Sequence, residues 1–375
     1  MQVREINEKI KAQHGVVSSF PSDFFGYFGW PTLARMEDGT LVAAASGLRN
    51  AHVCPFGRNV ICISSDDGQS WTSPQVAHDS PLDDRDTGVV PLGQDKLLIS
   101  WFTVHSQDYE ERAGDQIERW REGYARMTDE NAERWAGAWI STSHDRGESW
   151  NDPIKVPLTA PHGPIRLRGG ELLYFGKEFL VNLEGFWAGQ GAIAATQSTD
   201  EGRTWGKLGT VPLYPGTVEG NYHEPHVAEL PDGRLLGLIR IENSRGTTTP
   251  IEDLGLIHFS MMQTLSEDGG RTWSPIEPLN FHGCPPHLVS HSSGALICSY
   301  GFRQEPYGER VMISRDGGGS WDYHYILRDD GPDTDLGYPS TVELGDGSLL
   351  TMYYQKLKSV EDKCSLLWSR WELPE

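Results

Sequence analysis

Ser266-Glu-Asp-Gly-Gly-Arg-Thr-Trp273 follows the pattern Ser-x-Asp-x-Gly-x-x-Trp, and the chain carries that pattern five times. The other copies run Ser64–Trp71, Ser143–Trp150, Ser198–Trp205 and Ser314–Trp321. Each reads as a turn between two strands. The Asp accepts hydrogen bonds from turn N–H groups, the Gly takes a positive φ, and the Trp packs the turn onto the next strand. One such octet carries little weight. Five in one chain mark a repeat protein, whose stacked units share a core.

A second repeat lies upstream of these octets. Apolar runs flank Asp-Gly-type turns at Trp30–Ala45, Thr87–Trp101, Gly163–Gly176, Glu224–Arg240, Pro286–Tyr300 and Tyr338–Tyr354, which is the short-range signature of a β-hairpin. Six hairpins about 60 residues apart predict a six-bladed β-propeller, all-β, with residues 1–375 as one domain. The hairpin supplies the first two strands of a blade, and the octet joins the third to the fourth. The sixth blade has no octet. Its last strand is expected from Cys364–Trp371 or from residues before Trp30, and either route closes the ring and removes sheet edges. Two segments depart from the β pattern. Ser106–Trp135 is rich in charge and helix formers and predicts a helical insertion in the second blade, over one mouth of the propeller. Val3–Gln13 is expected to form a short helix.

The formal charge of −21 argues against nucleic acid and anionic membrane surfaces as partners. Five cysteines without a short spacing motif read as free thiols of a reducing compartment. The N-terminal residues are mixed in charge and no apolar run approaches a membrane span, so a cytoplasmic location is the expectation. No cofactor is implied.

Propeller geometry turns the repeat into a site prediction. Inner strands start, and second strands end, at the same face. The octets lie on the opposite face and are structural. The inner-strand starts carry Trp30, Arg85, Asp86, His162, His223, Glu224, His226, His287 and Tyr338. The second-strand ends and the loops after them carry Arg49, His52, His105, Arg240, Arg303 and Arg310. Each alone reads as a surface polar group, and convergence in one funnel gives the set a functional reading. Four histidines at inner-strand starts lack compact ligand spacing, so no metal is expected.

The octet is the Asp-box, and the chain resembles the sialidase superfamily of six-bladed propellers. Glu224-Pro-His through Arg240 is similar to the segment that carries the catalytic Glu and a substrate-binding Arg. Gly337-Tyr338-Pro-Ser-Thr-Val-Glu is similar to the segment that carries the Tyr nucleophile. The resemblance implies an exo-acting glycoside hydrolase that cleaves a terminal acidic sugar from a carbohydrate or glycoconjugate, with Glu224 as base to Tyr338. A phenol titrates near pH 10, about, and needs such a base. Two family features are missing. The first-blade Phe/Tyr-Arg-Ile-Pro motif reads Phe28-Gly29-Trp30-Pro31, so its arginine is missing, with Arg49 as its spatial replacement. The acid Asp of the following loop is absent, which leaves His52 or Asp86 as general acid. Arg303 or Arg310 supplies the third arginine, and Trp30, His162, His223 and His287 complete the substrate-binding set. Two other readings stand beside this one: a uronate-directed lyase that uses His and Tyr, and a carbohydrate-binding propeller without catalysis.

Overall fold

Each of the six hairpins forms where the apolar runs predict it, and each grows into a separate sheet. The computed structural model describes residues 1–105, 109–182, 191–243 and 249–374. The inner strands are Tyr27–Arg35, Asp83–Pro91, Ile165–Arg166, Tyr222–Glu229, Pro286–Ser290 and Gly337–Glu343. In the third blade Leu158–Thr159 also pairs with the second strand, so its inner edge is split around residues 160–164. Second strands such as Leu97–Val104 are buried at every position. A blade covered on both faces by its neighbours needs an unbroken apolar run rather than alternation.

The core therefore lies between blades. Leu33, Leu41 and Cys62 of the first blade pack with Leu344, Leu350 and Met352 of the sixth. Leu236, Leu238 and Met261 of the fourth pack with Leu288, Leu296 and Met312 of the fifth. The five boxes repeat one geometry. The Ser hydroxyl meets the Asp carboxylate at 2.7–2.9 Å, and accepts the Gly N–H at 2.8–3.0 Å. The Asp also takes the N–H of the seventh residue at 2.8–2.9 Å. That residue is always Ser or Thr, and its hydroxyl reaches the second carboxylate oxygen at 2.5–2.7 Å. The box Gly is fixed by two constraints, seen at Gly318. Its φ is +89°, and a Cβ there would lie 2.1 Å from Leu236 of the preceding blade.

The ring closes through the N-terminus. Ala12–Ser18 pairs antiparallel with Ser365–Trp371 and becomes the outer strand of the sixth blade. Gln2–Glu5 adds parallel to Ser320–Arg328 of the fifth. The helix expected over Val3–Gln13 does not form. Its Glu, Lys and Gln residues favour a helix locally, but pairing with two open sheet edges outweighs that weak preference. The helical insertion is present as Tyr109–Ala113, Ile117–Tyr124 and Asp129–Trp135, while the first residues expected in it, 106–108, lie outside the described residues. Its Trp120 is buried against Cys54, Phe56 and Leu82 and donates to Asn50 at 2.8 Å. All five cysteines are free and buried. Among the described residues, no helix is long and apolar enough to cross a membrane.

Two stability outcomes follow from the boxes. Gly318→Ala is expected to destabilise the fold by about 1–3 kcal/mol, through overpacking on Leu236; chemical denaturation measures this, and an unchanged midpoint contradicts the latch. Asp66, Asp145 and Asp268 are held at about 2, below the ordinary 3.8, chiefly by the N–H and hydroxyl of the seventh residue. A depressed carboxylate contributes stability above its unfolded value that is lost as pH falls through the folded one. The melting temperature should fall between about pH 4 and pH 2, and less steeply in Asp66→Asn/Asp268→Asn protein.

Candidate active site

The inner strands do more than line the channel. Trp30, Asp86, Glu224 and Tyr338 have φ of +51°, +55°, +48° and +52°, an unusual conformation for residues with a Cβ. Each coincides with a slip in pairing to the second strand, between Gly29 and Thr32, Arg85 and Gly88, His223 and His226, and Gly337 and Ser340. These are β-bulges, which re-aim a side chain out of the alternation of the strand. The same device recurs in four blades, and three of the four side chains, Asp86, Glu224 and Tyr338, line one pocket.

There the Tyr338 hydroxyl donates to Glu224 Oε1 at 2.5 Å across 114 positions of sequence. Arg240 donates through Nη1 to Glu224 and through Nη2 to Glu242, and Nη1 lies 3.4 Å from the Tyr338 oxygen. Burial raises the Glu224 value, but Arg240 and the Tyr338 hydrogen bond outweigh it and hold the carboxylate below its ordinary range. Tyr338 is pushed well up, by burial first and by the Glu224 charge second. Both residues line a pocket with about 610 Å³ of space between its walls, part of it open to solvent. Arg85, Asp86, Phe102, Thr159, Lys177 and Phe179 line it as well.

Asp86 is 7% exposed. Its Oδ1 has no hydrogen-bond partner among the described residues. Burial raises it to about 7, against the pull of Arg85. It is thus a carboxyl that retains a proton near neutral pH in a pocket shared with a Tyr–Glu pair. His52, the competing acid, does not line this pocket. Its Nδ1 is engaged by Asp335 at 2.9 Å and Tyr27 at 3.0 Å, and its ring meets the edge of Trp30 at 4.9 Å. Burial lowers its value.

The remaining expected residues divide. Arg240 is at the site. Arg303 lies 5.7 Å from the Tyr338 ring, but its guanidinium donates to the carbonyls of Cys284, Thr334 and Leu336. Arg49 does not replace the missing arginine. It is fully buried, 2.9 Å from Asp83, with its guanidinium against the Trp30 ring at 4.8 Å. Arg310 is also structural, donating to the carbonyls of Pro306, Glu309 and Arg328, because its strand turns it toward the fifth blade's own outer strand. His162 and His287 are not among the residues that line this pocket. With His226 they form a cluster of rings 4.4–5.6 Å apart, and burial lowers the values of all three. His223 sits behind Glu224, bonded to the Gly220 carbonyl at 2.8 Å and 3.4 Å from Glu242. Trp30 is 1% exposed and carries Arg85 on its ring at 4.3 Å. Among the described residues, no group of three His, Cys, Asp or Glu side chains is placed to hold a metal.

Three contributors escaped the sequence reading. Lys177 lines the pocket with its amine 2.7 Å from the Tyr222 carbonyl, and burial lowers it to about 8. Glu242 caps Arg240, and Asp335 holds His52. Lys177 and Glu242 stand at second-strand ends, the same signal that picked out Arg240. Asp335 lies two residues before an inner strand.

A family model described as BNR repeat-like domain matches residues 126–351. No curated protein matches the chain in sequence. A solved protein of unknown function from Dyadobacter fermentans superposes with a TM-score of 0.74 at 19% identity, over 97% of this chain and 99% of that one. A Hadza microbial sialidase, Hz136, gives 0.65 at 16%, over 96% and 68%. The NanB sialidase from Streptococcus pneumoniae gives 0.62 at 14%, over 98% and 71%. At these identities the likeness is one of fold.

The state of Asp86 has a measurable consequence for stability. Its folded value of about 7 exceeds the ordinary 3.8, so the folded chain holds a proton that the unfolded chain releases. Wild-type stability therefore declines relative to an Asn variant as pH rises through that window. Asp86→Asn should show a larger gain in melting temperature at pH 8 than at pH 5. An equal gain at both would mean that Asp86 is already ionised at the lower pH.

Proposed function

The chain belongs to the BNR repeat-like family, and from that premise we propose that its funnel is the active site of an exo-acting glycoside hydrolase cleaving a terminal acidic sugar. The observation that carries the reading is the 2.5 Å contact between Tyr338 and Glu224, in a pocket shared with the unpartnered carboxyl of Asp86. A structural Tyr–Glu contact does not call for a protonated acid facing the same space. A glycosidase does, since one group must attack the anomeric carbon while another protonates the leaving oxygen.

In the proposed reaction Tyr338 Oη forms a bond to the anomeric carbon and passes its proton to Glu224. The glycosidic C–O bond breaks, and Asp86 gives its proton to the leaving oxygen. A water, deprotonated by the Asp86 carboxylate, then attacks the same carbon, and Glu224 returns the proton to the phenol. Two displacements retain the anomeric configuration. Asp86 is favoured over His52 as acid because it lines the pocket with the pair, whereas the His52 ring is held by Asp335 and Tyr27. The histidine cluster gives little support to a His-based lyase, because it lies off the pocket wall.

Activity on a panel of aryl glycosides, including sialosides and uronides, tests the proposal. Glu224→Gln and Tyr338→Phe should each remove most turnover, and the double variant should be little worse than either single one, because the two act as a unit. Asp86→Asn should cost on the order of 10²–10⁴-fold with poor leaving groups and much less with activated ones. Product absorbance from a new C=C bond, or turnover that survives both single substitutions, would sink it.

A further inference from the structure

We infer that the sugar carries its negative charge away from the anomeric carbon, as a uronic acid does, and that Arg85 recognises it. This rests on the hydrolase reading for the site's position but makes a separate claim about what fills it.

A carboxylate attached to the anomeric carbon would have to sit beside Tyr338 and Glu224. The cations at that point are already occupied. Both terminal nitrogens of Arg240 are engaged by carboxylates, Glu224 on one and Glu242 on the other. Arg303 is bound to three backbone carbonyls. Trp30 brings no charge, and Arg49 behind it is paired with Asp83. An anion entering here would meet two carboxylates before a free donor, and like charges in a desolvated pocket repel strongly.

Arg85 is the opposite case. The slip in pairing between Arg85 and Gly88 turns two consecutive side chains, Arg85 and Asp86, onto the same pocket wall. Its guanidinium lies 4.3 Å from the Trp30 ring and 5.8 Å from Phe102. It makes no hydrogen bond or ion pair with another described residue, and its Nε is shut away from solvent. A guanidinium stacked on an aromatic face keeps its edge N–H groups free in a fixed plane, the geometry that takes a carboxylate through two parallel hydrogen bonds. Lys177 lines the same pocket.

Calorimetric titration of the full chain with glucuronate, galacturonate, glucose, galactose and N-acetylneuraminate tests this without requiring turnover. At least one uronate should bind about tenfold or more tightly than its neutral counterpart, the loss expected when one charge-assisted contact is missing. Arg85→Gln should erase that preference, and Arg85→Lys should restore only part of it, with melting curves confirming that both variants fold. Glu242→Ala, which releases one end of Arg240, should improve N-acetylneuraminate binding. Wild-type protein that binds N-acetylneuraminate more tightly than both uronates, that binds neither uronate, or whose uronate and neutral-sugar affinities fall alike in Arg85→Gln overturns the inference. Uronate binding that depends on Arg85, without hydrolysis of any aryl glycoside, would uphold it while removing the hydrolase reading.

Discussion

The ring is closed by hydrogen bonds between Ala12–Ser18 and Ser365–Trp371, and everything at the site depends on that closure. Glu224 and Tyr338 belong to the fourth and sixth blades. The groups that line the pocket with them come from the second and third. No local segment brings these together. A propeller left open would keep all its hairpins and boxes and still lose the pocket, because blade-to-blade angles would no longer be fixed. The boxes act toward the same end. Each seats its Gly against the preceding blade, as Gly318 does against Leu236, so the angle between blades is set by contact.

The four bulged inner strands are the cost of using such a scaffold for chemistry. A residue with a Cβ at φ near +50° is strained by about 1–3 kcal/mol, and such strain persists only where the surroundings over-determine it. Here it recurs at Trp30, Asp86, Glu224 and Tyr338, and three of the four are followed by proline. Proline has no N–H to lose where the ladder is interrupted. The strained position and the missing donor thus fall together, and the result is a side chain turned toward the channel axis.

This explains what the sequence made legible. The turns, hairpins and boxes are local, and residues within a few positions of one another set them, so the fold was readable. Glu224, Arg240 and Tyr338 were readable because strand ends converge by topology. What strand ends do not encode is which charges cancel. Arg49 and Arg85 are both arginines near inner-strand bulges of neighbouring blades, and nothing in their spacing says that Asp83 takes the first and leaves the second. The same limit applies to Glu242, whose position was visible but whose pairing with Arg240 was not. The N-terminal strands failed for a related reason. Exposed on nearly every side, Gln2–Glu5 carries no alternation, and only the waiting edge of the fifth blade makes it a strand.

The charge balance of the site bears on how the proposed chemistry would begin. Arg240 pulls the Glu224 value down, while burial first and the Glu224 charge second push the Tyr338 value up, against a smaller opposing pull from Arg240. The balance opposes a resting phenolate. A site built to hold phenolate would place its arginine on the phenol oxygen, whereas here Arg240 meets Glu224 directly and the phenol only at 3.4 Å. In the proposed reaction, deprotonation of Tyr338 would therefore be driven by the substrate. As the glycosidic bond lengthens, positive charge grows on the anomeric carbon and the ring oxygen. That charge favours the phenolate at the moment it is needed and not before. On the proposed mechanism Glu224 would accept a proton that only the transition state releases, which is the differential stabilisation that catalysis requires.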